Sequence, residues 1–180
     1  MTPPAANRKL ELFLTRDQIQ QRVQELGVEI ARDFSGQALL LVGVLKGAAI
    51  FLADLARAIP LECTFDFISV SSYGAATRSG GEVRMGKDFC QPIANRAVLL
   101  VEDILDTGIT LCALYDSLLA QQPAVLKSVA LLDKPSQRCR KIEADYVGFT
   151  IPDRFAVGYG LDVAEHYRNL PDIYLLPTDV

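Results

Sequence analysis

Positive charge is in short supply: 18 Lys and Arg stand against 22 Asp and Glu in 180 residues, a net charge of -4. Broad contact with a phosphate backbone calls for a clustered excess of Lys and Arg, so nucleic acid is not an expected partner. A small anion held in one pocket stays open. Cysteine is scarce as well. Cys63, Cys90, Cys112 and Cys139 are single and far apart, with no C-x-x-C pair and no second ligand at zinc spacing. They read as core or surface thiols of a reducing compartment. Long apolar runs are missing, since the longest lies near residues 38–45, well short of the roughly 20 residues that span a bilayer. The opening MTPPAANRKLELF has no basic segment followed by an apolar stretch, so no secretory signal is expected. These absences point to a soluble, cytoplasmic protein without a membrane partner. His166 is the only histidine, and it reads as an ordinary surface or core residue.

What is present is an ordinary globular composition, 50% apolar and 22% charged. A chain of 180 residues fits one domain and buries about 70% of its unfolded surface without a disulfide staple. From Thr15, the spacing of Ile19, Val23, Leu26 and Ile30 predicts an amphipathic helix, with Thr15 and Gln18 set as a capping box. ALLLVGVLKG then reads as a buried strand and a glycine-bearing loop, and AAIFLADLARAI, with Pro60 behind it, as a helix. CTFDFISVSSYG alternates β-branched and aromatic residues and reads as a strand. It opens into GAATRSGGEVRMGKD, a long exposed loop that is either a lid or mere flexible linkage. Further on come a strand at 97–101, a helix from about Leu111 that stops before Pro123, and the apolar run VLKSVALLDKP. YVGFTIP and FAVGYGLD are short β-type stretches, and the charges of 134–145 read as a solvated face. Strands alternating with helices predict an α/β fold with a mainly parallel, twisted sheet flanked by helices. In such a sheet the ligand sits beyond the carboxyl ends of the strands.

The chemistry-bearing segment is VLLVEDILDTGIT. A buried strand delivers Glu102 and Asp103, and a loop with Asp106, Thr107, Gly108 and Thr110 runs into a helix start. Unpaired amides at a helix N-terminus, a glycine permitting close approach and two hydroxyls form a cradle for a phosphate. Two carboxylates beside a phosphate would repel it. A ribose diol or a magnesium ion, which takes one or two carboxylates plus phosphate oxygens, removes the conflict. A capped helix start with surface acids is the plain alternative.

This block resembles the phosphoribosyl pyrophosphate motif of type I phosphoribosyltransferases. The resemblance runs from about residue 10 to 176 and narrows to the hypoxanthine-guanine phosphoribosyltransferases. Its other blocks are LLVGVLKGAAIFLADLARAI, DFISVSSYG, LLDKP and YVGFTIPDRFAVGYGLDVAEHYRNLP. It implies a single domain over 1–180, with a core of about 30–150 and a small hood built from the N-terminal segment and about 151–180. It implies Mg2+-dependent transfer of phosphoribose to hypoxanthine or guanine, giving IMP or GMP and pyrophosphate, in a homodimer or homotetramer. By the same resemblance Lys46 and Gly47 contact pyrophosphate, often through a cis peptide, and Arg168 contacts it from the C-terminal segment. Glu102 and Asp103 hold the ribose hydroxyls and, with Asp162, the metal. Residues 106–110, including Ile109, cradle the 5′-phosphate, and Asp106 is the candidate general base. Lys134 faces the six-oxo group, Phe155 stacks on the purine, and Ala156 meets the ring edge. Ser72 and Tyr73 enter the mobile loop, which Ala75 and Ala76 soften. A regulatory relative that keeps the sugar-phosphate pocket but binds RNA would need a basic face that the sequence does not offer.

Overall fold

Thr15 starts the first helix through its own side chain. Its Oγ1 accepts the amide of Gln18 at 3.3 Å, and Gln18 Oε1 accepts the amide of Thr15 at 2.9 Å, so two orphan donors are satisfied reciprocally. Behind this box, helix α1 (Arg16–Asp33) buries the expected stripe of Ile19, Val23, Leu26 and Ile30. The computed structural model describes residues 10–72, 83–85 and 92–177. Tyr73, Ala75, Ala76 and Cys90 lie outside them, and the side chain of Ser72 is likewise not described.

A six-stranded sheet carries the molecule, built from β2 (Leu39–Leu45), β3 (Cys63–Ser72), β4 (Val83–Met85), β5 (Ala97–Leu105), β6 (Val125–Asp133) and β7 (Tyr146–Thr150). Their order is β4-β3-β2-β5-β6-β7, parallel throughout except for β4, which runs antiparallel to β3. Both faces are covered, which is why the central strands read as unbroken apolar runs. Alternate residues nevertheless part company. Leu39, Leu41, Leu99 and Val101 join α1 and α2 (Ala49–Ala58) in one core, while Leu40, Val42, Val98 and Leu100 join α3 (Ile109–Leu119) in the other. At the outer strand β7, the carbonyls of Val147 and Gly148 accept Arg22 nitrogens at 2.9 and 3.2 Å, which blunts an edge open to unwanted pairing. A second sheet orders β1 (Glu11–Leu14), β9 (Ile173–Leu175) and β8 (Ala156–Val157), so the two chain ends meet in one antiparallel unit.

Four expectations are corrected. The strand expected at 97–101 continues to Leu105, because the ladder to β6 runs on through Glu102–Ala130 and Leu105–Asp133 after the apolar pattern has ended. The helix expected from Leu111 begins at Ile109, with Gly108 as its cap. The segment expected as a featureless loop contains β4. The charges of 134–145 are not a plain solvated face. Lys134 is 6% exposed, Arg138 pairs with Asp133, and Asp145 accepts the amide of Ser128 at 2.8 Å. A charge pattern shows polarity but not the partner that draws the charge inward.

Candidate active site at the switch point of the sheet

The chain passes from β2 outward to β3 and then returns to the other side of β2 at β5. Helices leaving β2 and β5 therefore lie on opposite faces, and a crevice opens between the carboxyl ends of these two strands. It holds a cavity of about 350 Å³ lined by Lys46, Gly47, Glu102, Asp103, Asp106, Thr107, Gly108, Thr110, Asp162 and Arg168, among others.

On the β2 side, the peptide between Leu45 and Lys46 is cis. Gly47 follows, and nothing larger fits there, since a Cβ would stand 1.6 Å from Asp103 Oδ2. Gly160, with φ of 100°, presses from the other direction, where a Cβ would stand 2.2 Å from the carbonyl oxygen of Gly47. Glycine is the residue that tolerates both such a φ and so close an approach. The C-terminal segment is thus seated directly on the β2 loop.

On the β5 side, Glu102 is 6% exposed. Burial, and then the neighbouring Asp103 charge, holds its carboxyl well above the usual carboxylate range. Asp103 is pushed up to about 6, chiefly by burial, although its Oδ1 accepts the amide of Ile104 at 3.0 Å and Arg168 offsets part of the cost. The loop then turns through Gly108, at φ of 81°, into α3. The first amides of a helix lack intrahelical acceptors and point outward with the positive end of its dipole. Here the amide of Ile109 makes, among the described residues, only a 3.4 Å contact to Thr107 Oγ1. Behind the loop, the amides of Cys139 and Arg140 donate to the carbonyl of Thr107 at 2.9 and 3.2 Å, which fixes its position.

Asp106 connects the cavity to Lys134. Its Oδ2 lies 3.5 Å from the Lys134 ammonium, while Oδ1 is buried without a hydrogen-bond partner among the described residues. Asp153 Oδ1 is 3.8 Å from the same ammonium. Phe155, in the next turn, leaves 60% of its surface exposed, and Ala156 is buried at the start of β8. Arg168 reaches back across the cavity, donating to the carbonyl of Gly160 at 2.7 Å and pairing with Asp162 Oδ1 at 2.9 Å. The other oxygen of Asp162 accepts the amide of Glu165 at 2.7 Å. His166 is exposed and packs edge-on to Tyr167.

A model of the phosphoribosyl transferase domain matches residues 14–164. A hypoxanthine-guanine phosphoribosyltransferase of Aquifex aeolicus is 46% identical over 170 residues, 94% of this chain and 96% of that protein. The crystal structure of a hypoxanthine phosphoribosyltransferase from Staphylococcus aureus superposes with a TM-score of 0.91 at 46% identity, covering 98% of this chain and 96% of that one. The chain belongs to the hypoxanthine-guanine phosphoribosyltransferases. It is also 45% identical to the Bifunctional protein TilS/HprT of Listeria monocytogenes, of whose length it spans 26%.

Lys46, Gly47, Glu102, Asp103, Asp106, Thr107, Gly108, Thr110, Asp162 and Arg168 converge on one cavity, and Ile109 is not among its lining. Lys134, Phe155 and Ala156 are not among its lining; Lys134 meets it through Asp106, 3.5 Å away. Sequence reading passed over Gly160, Asp153 and Glu165. The Gly-Tyr-Gly of 158–160 was the available signal for the first; the two acids carried none. Among the described residues no helix is long and apolar enough to cross a membrane.

Proposed function

We propose that this chain transfers the 5-phosphoribosyl group from phosphoribosyl pyrophosphate to hypoxanthine or guanine, giving IMP or GMP and pyrophosphate. The observation that carries the reading is the meeting, in one crevice, of a buried acidic pair with the amide-lined start of α3. One half suits hydroxyls and the other suits a phosphate, and a ribose 5-phosphate presents both. In this reading residues 106–110 bind the 5′-phosphate, Glu102 and Asp103 hold the ribose hydroxyls, and Lys46, Gly47 and Arg168 take the pyrophosphate. A fixed array of donors and cations aimed at the departing anion lowers the barrier without reorganising at the moment of reaction.

Lys134 selects the base. A buried ammonium beside Asp106 and Asp153 donates a further N–H to the six-oxo group, whereas the exocyclic amine of adenine offers that N–H no acceptor, which costs roughly 1–3 kcal/mol. Asp106 Oδ1, buried and without a partner among the described residues, is the atom that handles the imidazole proton of the purine. Phe155 offers its exposed ring for stacking, and Ala156 meets the ring edge with its backbone. The β1-β9-β8 sheet is the hood over a core of about 30–150 within one domain of 1–180.

The donor set fits Mg2+. Two adjacent buried carboxylates, both held above the usual range and offset only in part by Arg168, leave negative charge to be met, and oxygen ligands suit a hard divalent ion. Among the described residues no group of three or more His, Cys, Asp or Glu could hold a metal alone, and Mg2+ customarily completes its shell with substrate oxygens. Glu102, Asp103 and Asp162 would hold it, and its charge would offset that of the leaving pyrophosphate. The proposed setting is the cytoplasm, where the free thiols of Cys63, Cys112 and Cys139 stay reduced, and the proposed assembly is a homodimer or homotetramer.

Hypoxanthine, guanine and adenine, each supplied with phosphoribosyl pyrophosphate with and without Mg2+, test the reading by chromatography of the products. IMP and GMP form only with Mg2+, and AMP does not form. Equal product from adenine would overturn the role of Lys134, and no product from any base would overturn the whole assignment.

A further inference from the structure

The two cations assigned to pyrophosphate share a protein partner. Glu165 Oε2 lies 3.1 Å from Lys46 Nζ and 3.4 Å from Arg168 Nη2. One carboxylate oxygen therefore touches both, from a residue that the reading of the site has not used. Its backbone is firmly set. Ala164, Glu165 and Tyr167 have φ of 50°, 66° and 76°, a conformation that non-glycine residues hold only where their surroundings over-determine it. The amide of Glu165 donates to Asp162 Oδ2 at 2.7 Å, and Val163 and His166 exchange backbone hydrogen bonds across the turn. The side chain beyond this anchored backbone is 63% exposed, as is 67% of Lys46. It can turn into solvent without disturbing the turn.

We propose that Glu165 competes with pyrophosphate for Lys46 and Arg168. Its carboxylate yields the two cations as the diphosphate of the substrate arrives and retakes them as pyrophosphate leaves. The carboxylate and the Lys46 ammonium are exposed and Arg168 is part-buried, so the contact is weak enough to be displaced yet opposes tight retention of the product. Arg168 keeps its bond to the carbonyl of Gly160 throughout, so only the Glu165 side chain has to move. The inference rests on the reading of Lys46 and Arg168 as pyrophosphate ligands.

Calorimetric titration of pyrophosphate with Mg2+ into the wild-type protein and into Glu165→Gln tests it. The amide keeps the shape and loses the charge, and pyrophosphate then binds about 2- to 5-fold more tightly, the range a displaced exposed ion pair allows. In a Lys46→Ala background the same substitution gives a smaller gain, because one of the two contested cations is gone. Glu165→Ala serves as a second variant should the glutamine protein fail to fold, and thermal melting verifies each. Equal or weaker binding by the folded variants overturns the competition while leaving the pyrophosphate site in place. Absence of pyrophosphate binding to the wild type removes the assignment of Lys46 and Arg168, and this inference with it.

Discussion

Replacing Gly47 by alanine separates the shape of the crevice from the stability of the fold. The added Cβ would stand 1.6 Å from Asp103 Oδ2 and 2.5 Å from its Cγ. The carboxylate must therefore retreat by about 2 Å to reach ordinary contact. It can do so by rotating, giving up the 3.0 Å bond from the amide of Ile104 to Oδ1. The cost to folding is then that of modest overpacking, about 1–2 kcal/mol. The cost to binding is larger, because a displaced Asp103 no longer reaches the ribose hydroxyls. A hydrogen bond to a charged group contributes about 1.5–3 kcal/mol, so the Kd for phosphoribosyl pyrophosphate rises about 10- to 100-fold. Calorimetry on Gly47→Ala, beside thermal melting, reads both quantities. Gly36→Ala is the control, for Gly36 also has positive φ, 76°, but nothing lies within 4 Å of the new Cβ. It loses some stability and none of the affinity. A Gly47→Ala protein that binds phosphoribosyl pyrophosphate within about 2-fold of the wild type refutes the packing argument.

Gly160→Ala behaves differently, since its Cβ would meet the backbone carbonyl of Gly47 at 2.2 Å with φ at 100° and no rotamer relieves the clash; unfolding in urea shows a loss of at least about 2 kcal/mol. Asp106→Asn lowers kcat by about 100-fold or more while the Kd for phosphoribosyl pyrophosphate stays within about 2-fold, and unchanged turnover in a rapid-quench assay would end the proton-handling role. At the opposite end of the sheet, Asp33 is lowered from 3.8 to about 2, chiefly by the Tyr146 hydroxyl at 2.7 Å and then by the Lys127 ammonium at 2.9 Å. A depressed carboxyl contributes stability that is complete above its unfolded value and fades as pH falls through its folded value. The urea midpoint of the wild type therefore exceeds that of Asp33→Asn by a constant margin above about pH 5, and the margin closes toward pH 2; a margin that survives to pH 2 contradicts the assignment.

Much of the fold was legible because its elements are written locally. The Thr15–Gln18 box and the Ile19, Val23, Leu26 and Ile30 stripe need no distant partner to be recognised. The apolar run at 39–45, with its glycine-bearing loop, and the run at 97–101, with its polar loop, read as strands from their own neighbours. Errors came where polarity and structure separate. Glu102, Ile104 and Leu105 stay in the β5 ladder because β6 continues to pair with their backbone, a fact no side-chain pattern reports. Arg138 looks like a surface charge until Asp133 is placed beside it. The candidate site was legible as separate blocks, each at the end of an apolar run, but not as distances.

The linear chain determined on its own the strand-helix alternation, the acidic pair, the glycine-bearing turn into α3 and the family these compose, because such features depend on neighbours a few residues apart. Only the tertiary structure decided that Gly160 rests on Gly47, that Asp106 stands beside Lys134, and that Glu165 reaches both Lys46 and Arg168. These pairs join segments far apart along the chain. Their meeting is fixed by the order of strands in the sheet and by where β2 and β5 end, which is a property of packing and not of local propensity.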